Sequence, residues 1–193
     1  LYQAGAIVRS RPVNTSFATV TAASAQIFYR TTDALGNASA TVTTLFAPKQ
    51  PVSPPQIMML MGKQDGGSCL RCRGLGGSSL IARSLKRSTH RLGKSGLQIA
   101  YALQNGSQSK ATTLLPSVAA DIVAGLSKGW YVSVPDHEGP KAAFISGVTA
   151  AYCGIDALRA TLNFTEIIPD SQGYKAVYHG YEAGSLVPPL DAS

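Results

Sequence analysis

Gly180, Glu182 and Gly184, in the stretch Gly180-Tyr181-Glu182-Ala183-Gly184, have the spacing of a nucleophile elbow, the sharp strand-to-helix turn written G-x-S-x-G. Two glycines let the backbone fold tightly there, and the residue between them is thrust out as the attacking group. Here that residue is a carboxylate. A serine would attack an acyl carbon once a histidine took its proton, but Glu182 has no hydroxyl to activate. Spacing and residue type therefore point in opposite directions. An acidic elbow can form an ester intermediate but still needs a histidine-activated water to hydrolyse it, and glutamate is one methylene longer than the aspartate such sites use. Buried, Glu182 would be protonated or salt-bridged; otherwise it would face solvent.

The remaining titratable candidates have simpler readings. His137 and Glu138 lie in Pro135-Asp136-His137-Glu138-Gly139, at the end of an apolar run, where a hydrogen-bonded turn is expected. His179 precedes the elbow on a strand and is expected to pack on one face of a sheet. Cys69-x-x-Cys72 lacks a second pair at ligand spacing, so neither a metal nor a cofactor is expected. With Cys153, the three cysteines permit one disulfide and leave one thiol over.

These residues need elements to position them. Segments 25–30 and 39–46 are rich in β-branched and aromatic residues, and with Gly36 between them they read as an antiparallel hairpin. A proline-rich loop, Pro48 to Pro55, leads into Gln56-Ile57-Met58-Met59-Leu60-Met61, a short apolar run that suits a buried strand. After Pro116, Ser117 can cap a helix with Val118, Ile122 and Leu126 on one face and Gly129 at its end. Trp130 to Val134 reads as a strand closed by Pro135. A second helix is expected at about 152–164, with Ile155, Leu158 and Leu162 inward and Asp156 pairing with Arg159. Ala176 to His179 then forms the strand that enters the elbow. Strand, helix, strand, helix, strand predicts an α/β fold with crossover helices on a parallel sheet, after an antiparallel hairpin.

The length of 193 residues fits one domain, by the usual prior of roughly 100 to 200 residues each. With 45% hydrophobic and only 14% charged residues, the chain is a globular protein and not a disordered charged tail. No apolar run reaches the roughly 18 residues of a spanning helix. At Leu1 there is no charged and apolar leader, so any signal peptide is expected to have been removed or to lie outside this sequence. The formal charge of +7 is concentrated: Arg71, Arg73, Arg83, Lys86, Arg87, Arg91 and Lys94 lie close together, and no acid occurs from Gly66 to Ala120. Without those seven, the ten other bases balance the ten acids. Such a stretch reads as a solvated loop or as a contact for anionic surfaces. No aromatic residue lies between Phe46 and Tyr101 to stack on bases, so a nucleic-acid partner is not expected.

All four asparagines, Asn14, Asn37, Asn105 and Asn163, open an Asn-x-Ser/Thr sequon. Chance gives this roughly once in a thousand when Ser and Thr fill near a fifth of a chain, which favours a secreted glycoprotein over four turn asparagines.

Several blocks, in order and spacing, carry a resemblance to a known family. They are Gly5 to Arg11, Tyr29-Arg30-Thr31-Thr32-Asp33, Ala40 to Pro48, Tyr101-Ala102-Leu103-Gln104, Gly129 to Phe144, Asp156 to Ala160, and Gly180-Tyr181-x-x-Gly184. Together they cover most of residues 1–60 and 99–184, and the chain resembles the fungal secretory lipase family of α/β hydrolases.

That resemblance implies an α/β-hydrolase-like, mainly parallel sheet with crossover helices and an N-terminal antiparallel hairpin, ending just after the elbow. Residues 1–184 would be a partial hydrolase domain with an irregular basic insertion at about 62–98, and 185–193 an irregular tail in which Pro188 and Pro189 oppose a helix. The sheet would leave its nucleophile strand without later neighbours, exposing an apolar edge prone to aggregation.

The family hydrolyses triacylglycerols and other carboxylic esters by a Ser-His-Asp mechanism, so the resemblance implies a lipid or ester substrate, a lipid–water interface and secretion. It places the oxyanion-hole N–H groups on Ala183 and Asp65, makes Gly180 and Gly184 the elbow glycines, and makes Cys69 a disulfide cysteine. Two departures stand out. Glu182 replaces the serine, and only Asp191 and no histidine follows it in this sequence, which predicts an inactive copy. The alternative expectation is a non-catalytic module that binds anionic surfaces or lipid through 71–94.

Overall fold

The computed structural model describes residues 2–14, 17–61, 116–137, 146–169 and 173–180. They form six strands and two helices in the order β1 (Ile7–Pro12), β2 (Thr21–Thr32), β3 (Ala38–Pro48), β4 (Gln56–Met61), α1 (Pro116–Ser127), β5 (Tyr131–Pro135), α2 (Gly147–Leu162) and β6 (Lys175–Gly180). The basic stretch 71–94 and the tail 185–193 lie outside the described residues.

The strands make one mixed sheet in the order β1-β2-β3-β5-β4-β6. The pairs β1–β2, β2–β3 and β3–β5 are antiparallel, and β4 runs parallel to both β5 and β6. The expected hairpin is present and longer than its most β-prone residues, with Thr21 paired to Pro48 at one end and Thr32 to Ala38 at the other. Its turn is built by Asp33: one carboxylate oxygen accepts the N–H of Leu35 at 3.0 Å and of Asn37 at 2.9 Å, while Gly36 takes φ +83°. β1 is a strand that the sequence reading leaves out; it alternates charged and small residues along the edge and lacks a continuous apolar signal.

From β4 the chain reaches β5 on one side, and from β5 it returns across β4 to β6 on the other. Right-handed crossovers that run in opposite directions must put their helices on opposite faces of the sheet. So they do. α1 places Ile122 and Leu126 against Phe17, Phe46, Met58, Leu60, Val132 and Val134, and α2 places Ala157 and Ala160 against Ile27, Tyr29, Leu45, Ile57, Met59 and Tyr131. β5, between β3 and β4 and covered on both faces, is buried at every residue. Edge strand β6 is exposed or half-buried throughout.

Both helices begin earlier than their apolar spacing indicates. Pro116 is the first residue of α1, a position where its missing N–H costs nothing, so Ser117 lies within the helix rather than capping it. The end of α1 is as expected: Gly129 at φ +77° donates to Leu126 O at 3.0 Å, and Trp130 N–H reaches Gly125 O at 3.1 Å, closing a Schellman motif. α2 is capped by Ser146, whose hydroxyl accepts from Thr149 N–H, so it starts five residues before Tyr152.

The inner face of α2 also differs from expectation. Thr149, Ala150, Cys153, Gly154, Asp156, Ala157, Ala160 and Thr161 are buried, while Ile155, Leu158 and Leu162 are only half-buried. Close approach to the sheet is the reason. A methyl on Gly154 would lie 2.9 Å from Met61 Cε, so the contact face has room for small residues and the large aliphatics move to its flanks.

Candidate functional site

In an open sheet with parallel strands, ligands bind beyond the carboxyl ends, where neighbouring connections leave toward opposite faces. Here that place lies between β5 and β4, whose chains depart to α2 and α1. The parallel register carries it on to β6: Met59 sits opposite Ser133 on one side of β4, and Met61 opposite Gly180 on the other. Met61 and Gly180 therefore end their strands side by side, and each is followed by a further segment of the sequence. Those segments carry Asp65 and the run Glu182, Ala183 and Gly184, the sequence-derived oxyanion-hole and elbow positions. All four, with Cys69 and Cys72, lie outside the described residues; Gly180, expected from the sequence as the first elbow glycine, is the last residue of β6.

The end of β5 delivers two more residues to this edge. Asp136 and His137 are buried, at 6% and 4% exposure, and the Asp136 backbone is pinned: its N–H donates to Val42 O at 2.8 Å, and its carbonyl accepts from Thr41 Oγ1 at 3.0 Å. A held turn is what the sequence indicates for His137, and its depth in the protein is the new fact.

Beneath the edge, on the α2 side, lies a band of buried polar groups. Tyr29 donates its hydroxyl to Cys153 O at 2.8 Å, and Thr31 Oγ1 stands 4.0 Å from Cys153 Sγ. Burial, then the neighbouring Cys153 and Asp136, push the Tyr29 phenol well above its usual range. Tyr178, two residues before Gly180, reaches Gly154 O at 3.4 Å, and burial pushes its phenol up to about 12. Cys153 is a free, buried thiol that burial pushes up to about 12, so at neutral pH it is protonated and packs as a small hydrophobe. Farther down β5, Ser133 Oγ lies 2.7 Å from Thr43 Oγ1 and 3.1 Å from Thr161 Oγ1, joining three elements through hydroxyls. Sequence reasoning missed this band. Its one visible signal was Gly154 inside a helix, which marks a close approach.

On the α1 side the expectation for His179 is corrected. Its side chain is half-exposed, with Nε2 3.6 Å from Asp121 Oδ2 on α1. β6 is the outermost described strand, so a residue on its α1 face is not enclosed. The expected pair of Asp156 and Arg159 is present at 2.8 Å, joining a fully buried carboxylate to a largely exposed guanidinium.

Among the described residues no three His, Cys, Asp or Glu side chains converge as metal ligands, and no helix is long and apolar enough to cross a membrane. An open hollow of about 460 Å³, lined by Val8, Arg9, Arg11, Phe28 and Val42, lies on the antiparallel strands and away from the β4–β6 edge.

Of the sequon asparagines, Asn14, Asn37 and Asn163 are exposed, and Asn105 lies outside the described residues.

Comparison with known proteins agrees with this layout. The family model described as secretory lipase matches residues 103–192. A protein of Mycobacterium tuberculosis named as a probable inactive lipase is 33% identical over 187 residues, covering 94% of this chain and 36% of that protein. Lipase A of Moesziomyces aphidis is 30% identical over 184 residues, covering 94% of this chain and 33% of its own length. Among solved structures, Candida antarctica lipase A in its closed state superposes with a TM-score of 0.71 at 29% identity, over 96% of this chain and 37% of that one. The chain spans about a third of the length of the curated relatives it matches. A sheet ordered β1-β2-β3-β5-β4-β6 with helices on opposite faces, and the likeness in sequence and structure along nearly its whole length, place this chain in the secretory lipase family of α/β hydrolases.

Proposed function

We propose that this chain is a secreted, ester-hydrolase-derived protein whose elbow is catalytically silent. Glu182 carries the reading. It stands where the serine of a nucleophile elbow belongs, two residues beyond Gly180 at the carboxyl end of β6. A carboxylate there has no proton for a histidine to remove and cannot form the acyl-serine intermediate. The positions of Asp65 and Ala183 suit oxyanion-hole donors, because both follow strands that are direct neighbours in the sheet; their N–H groups would still favour a developing negative charge. The name of the M. tuberculosis relative, a probable inactive lipase, supports the reading.

The substrate class of the ancestral site is a carboxylic ester of the triacylglycerol kind, presented at a lipid–water interface, and the cellular location is extracellular. A short-chain p-nitrophenyl ester assay on the secreted chain tests the silence. The expected result is hydrolysis no faster than buffer and no labelling by a serine-directed fluorophosphonate. Turnover that Glu182→Ala abolishes would overturn it.

A second reading rests on charge. Seven bases between Arg71 and Lys94, with no acid from Gly66 to Ala120, suit contact with an anionic lipid surface. Binding to phosphatidylserine vesicles that weakens steeply with salt and disappears on deletion of 71–94 is its expected signature; salt-independent binding or none excludes it.

A further inference from the structure

We infer that Asn14, Asn37 and Asn163 carry N-linked glycans, and that two of the three cover the edge of the sheet opposite the candidate site. In sequence the observation is that no asparagine of this chain stands outside a sequon. The structure adds where they are. Asn37-Ala38-Ser39 sits at the tip of the β2–β3 hairpin, with Asn37 exposed and its hydrogen bonds made by the backbone, to Asp33. Asn163-Phe164-Thr165 follows α2. Asn163 closes that helix with its backbone N–H on Arg159 O at 3.0 Å, while its side chain and Thr165 are exposed and Phe164 between them is buried. Asn14 is exposed two residues beyond the end of β1. Each side chain thus stands outside the packing, where a bulky polar sugar costs nothing in burial.

Register gives the glycans their direction. Pro12 pairs with Ala25 and Ala25 with Leu45, so Asn14 lies at the same edge of the sheet as the amino end of β5, where Phe46 pairs with Val132, with β2 and β3 between them. α2 runs back from the carboxyl edge, with Cys153 beside Thr31 and Thr161 beside Ser133, which brings Asn163 to the same amino end. Asn37 lies on the other side, on a hairpin three strands from β6. None of these three asparagines lies at the carboxyl ends of β4 and β6.

The step is a group transfer. The anomeric carbon of an oligosaccharide breaks its bond to the diphosphate of a polyprenyl carrier and bonds to the asparagine Nδ2. That nitrogen loses one proton, and the polyprenyl diphosphate leaves. The test is to secrete the full chain from a yeast host behind a leader and compare intact mass before and after peptide-N-glycosidase. Peptide mapping then locates each asparagine converted to aspartate. We expect a mass loss and conversion at 14, 37 and 163, with Asn37→Gln and Asn163→Gln each removing one glycan. Unchanged mass, or unconverted peptides at these positions, overturns the inference. Where secretion fails, translation of the full chain with microsomes gives the same reading, since each used sequon adds one enzyme-sensitive step on a gel. None of these results depends on whether the elbow is silent.

Discussion

On its α1 side the sheet is covered by Phe17, Phe46, Met58, Leu60, Ile122, Leu126, Val132 and Val134, with Phe17 and Phe46 meeting edge to face at 5.7 Å. On its α2 side, aliphatic residues share the interior with Tyr29, Thr31, Thr43, Ser133, Cys153, Asp156 and Thr161, all buried. The strands are the same; only alternate residues change. One face is held by area removed from water. The other adds hydrogen bonds among buried hydroxyls and carbonyls, and a buried hydroxyl that loses its partner costs more than the bond itself contributes. That second face reaches β6 through Tyr178 and Gly154.

The contrast can be broken from either side. Phe46→Ala is expected to have the largest effect, a loss of about 3–5 kcal/mol in urea unfolding, because a fully buried ring leaves both a cavity and an unpaired Phe17. Ser133→Ala should cost about 1–3 kcal/mol, since it strands the hydroxyls of Thr43 and Thr161 while removing a single oxygen. A double substitution, Ser133→Ala with Thr43→Val, should then cost less than the sum of the two; strict additivity in a double-mutant cycle would show that the hydroxyls act alone.

Alkaline pH should separate the faces with the smallest effect near neutrality. Cys153 ionises near 9 when exposed and near 12 in the fold, so the unfolded chain releases its proton first as pH rises. This contribution to stability is whole below about 9 and is lost between about 9 and 12. Tyr178, raised from 10.0 to about 12, adds to the decline in the upper part of that window. Urea midpoints measured from pH 7 to 10 should therefore fall, and Cys153→Ala should flatten the fall; an unchanged slope would remove Cys153 as its source.

Much of the parallel half was legible. Gln56 to Met61 and Trp130 to Val134 read as strands because a strand buried on both faces is a continuous apolar run. Gly129 read as a helix stop because a positive φ suits glycine. β1 was not legible, since an edge strand of mixed charged and small residues has no apolar period. Nor was the inner face of α2: Ile155, Leu158 and Leu162 have helical spacing, but how near the helix lies to the sheet decides which residues fit beneath it. His179 was misplaced for the same kind of reason, because exposure on an edge strand depends on neighbours that its own alternation does not reveal.

The amino-acid sequence by itself determined that a glutamate stands midway between Gly180 and Gly184, that every asparagine opens a sequon, and that strands and helices alternate in the second half. These are matters of identity and short-range spacing. Tertiary structure alone decided that Met61 lies opposite Gly180, that the two helices cover opposite faces, and that Asn14 and Asn163 share the far edge. Strand neighbours are chosen by long-range pairing and by the handedness of crossovers, and no local pattern of residues records that choice.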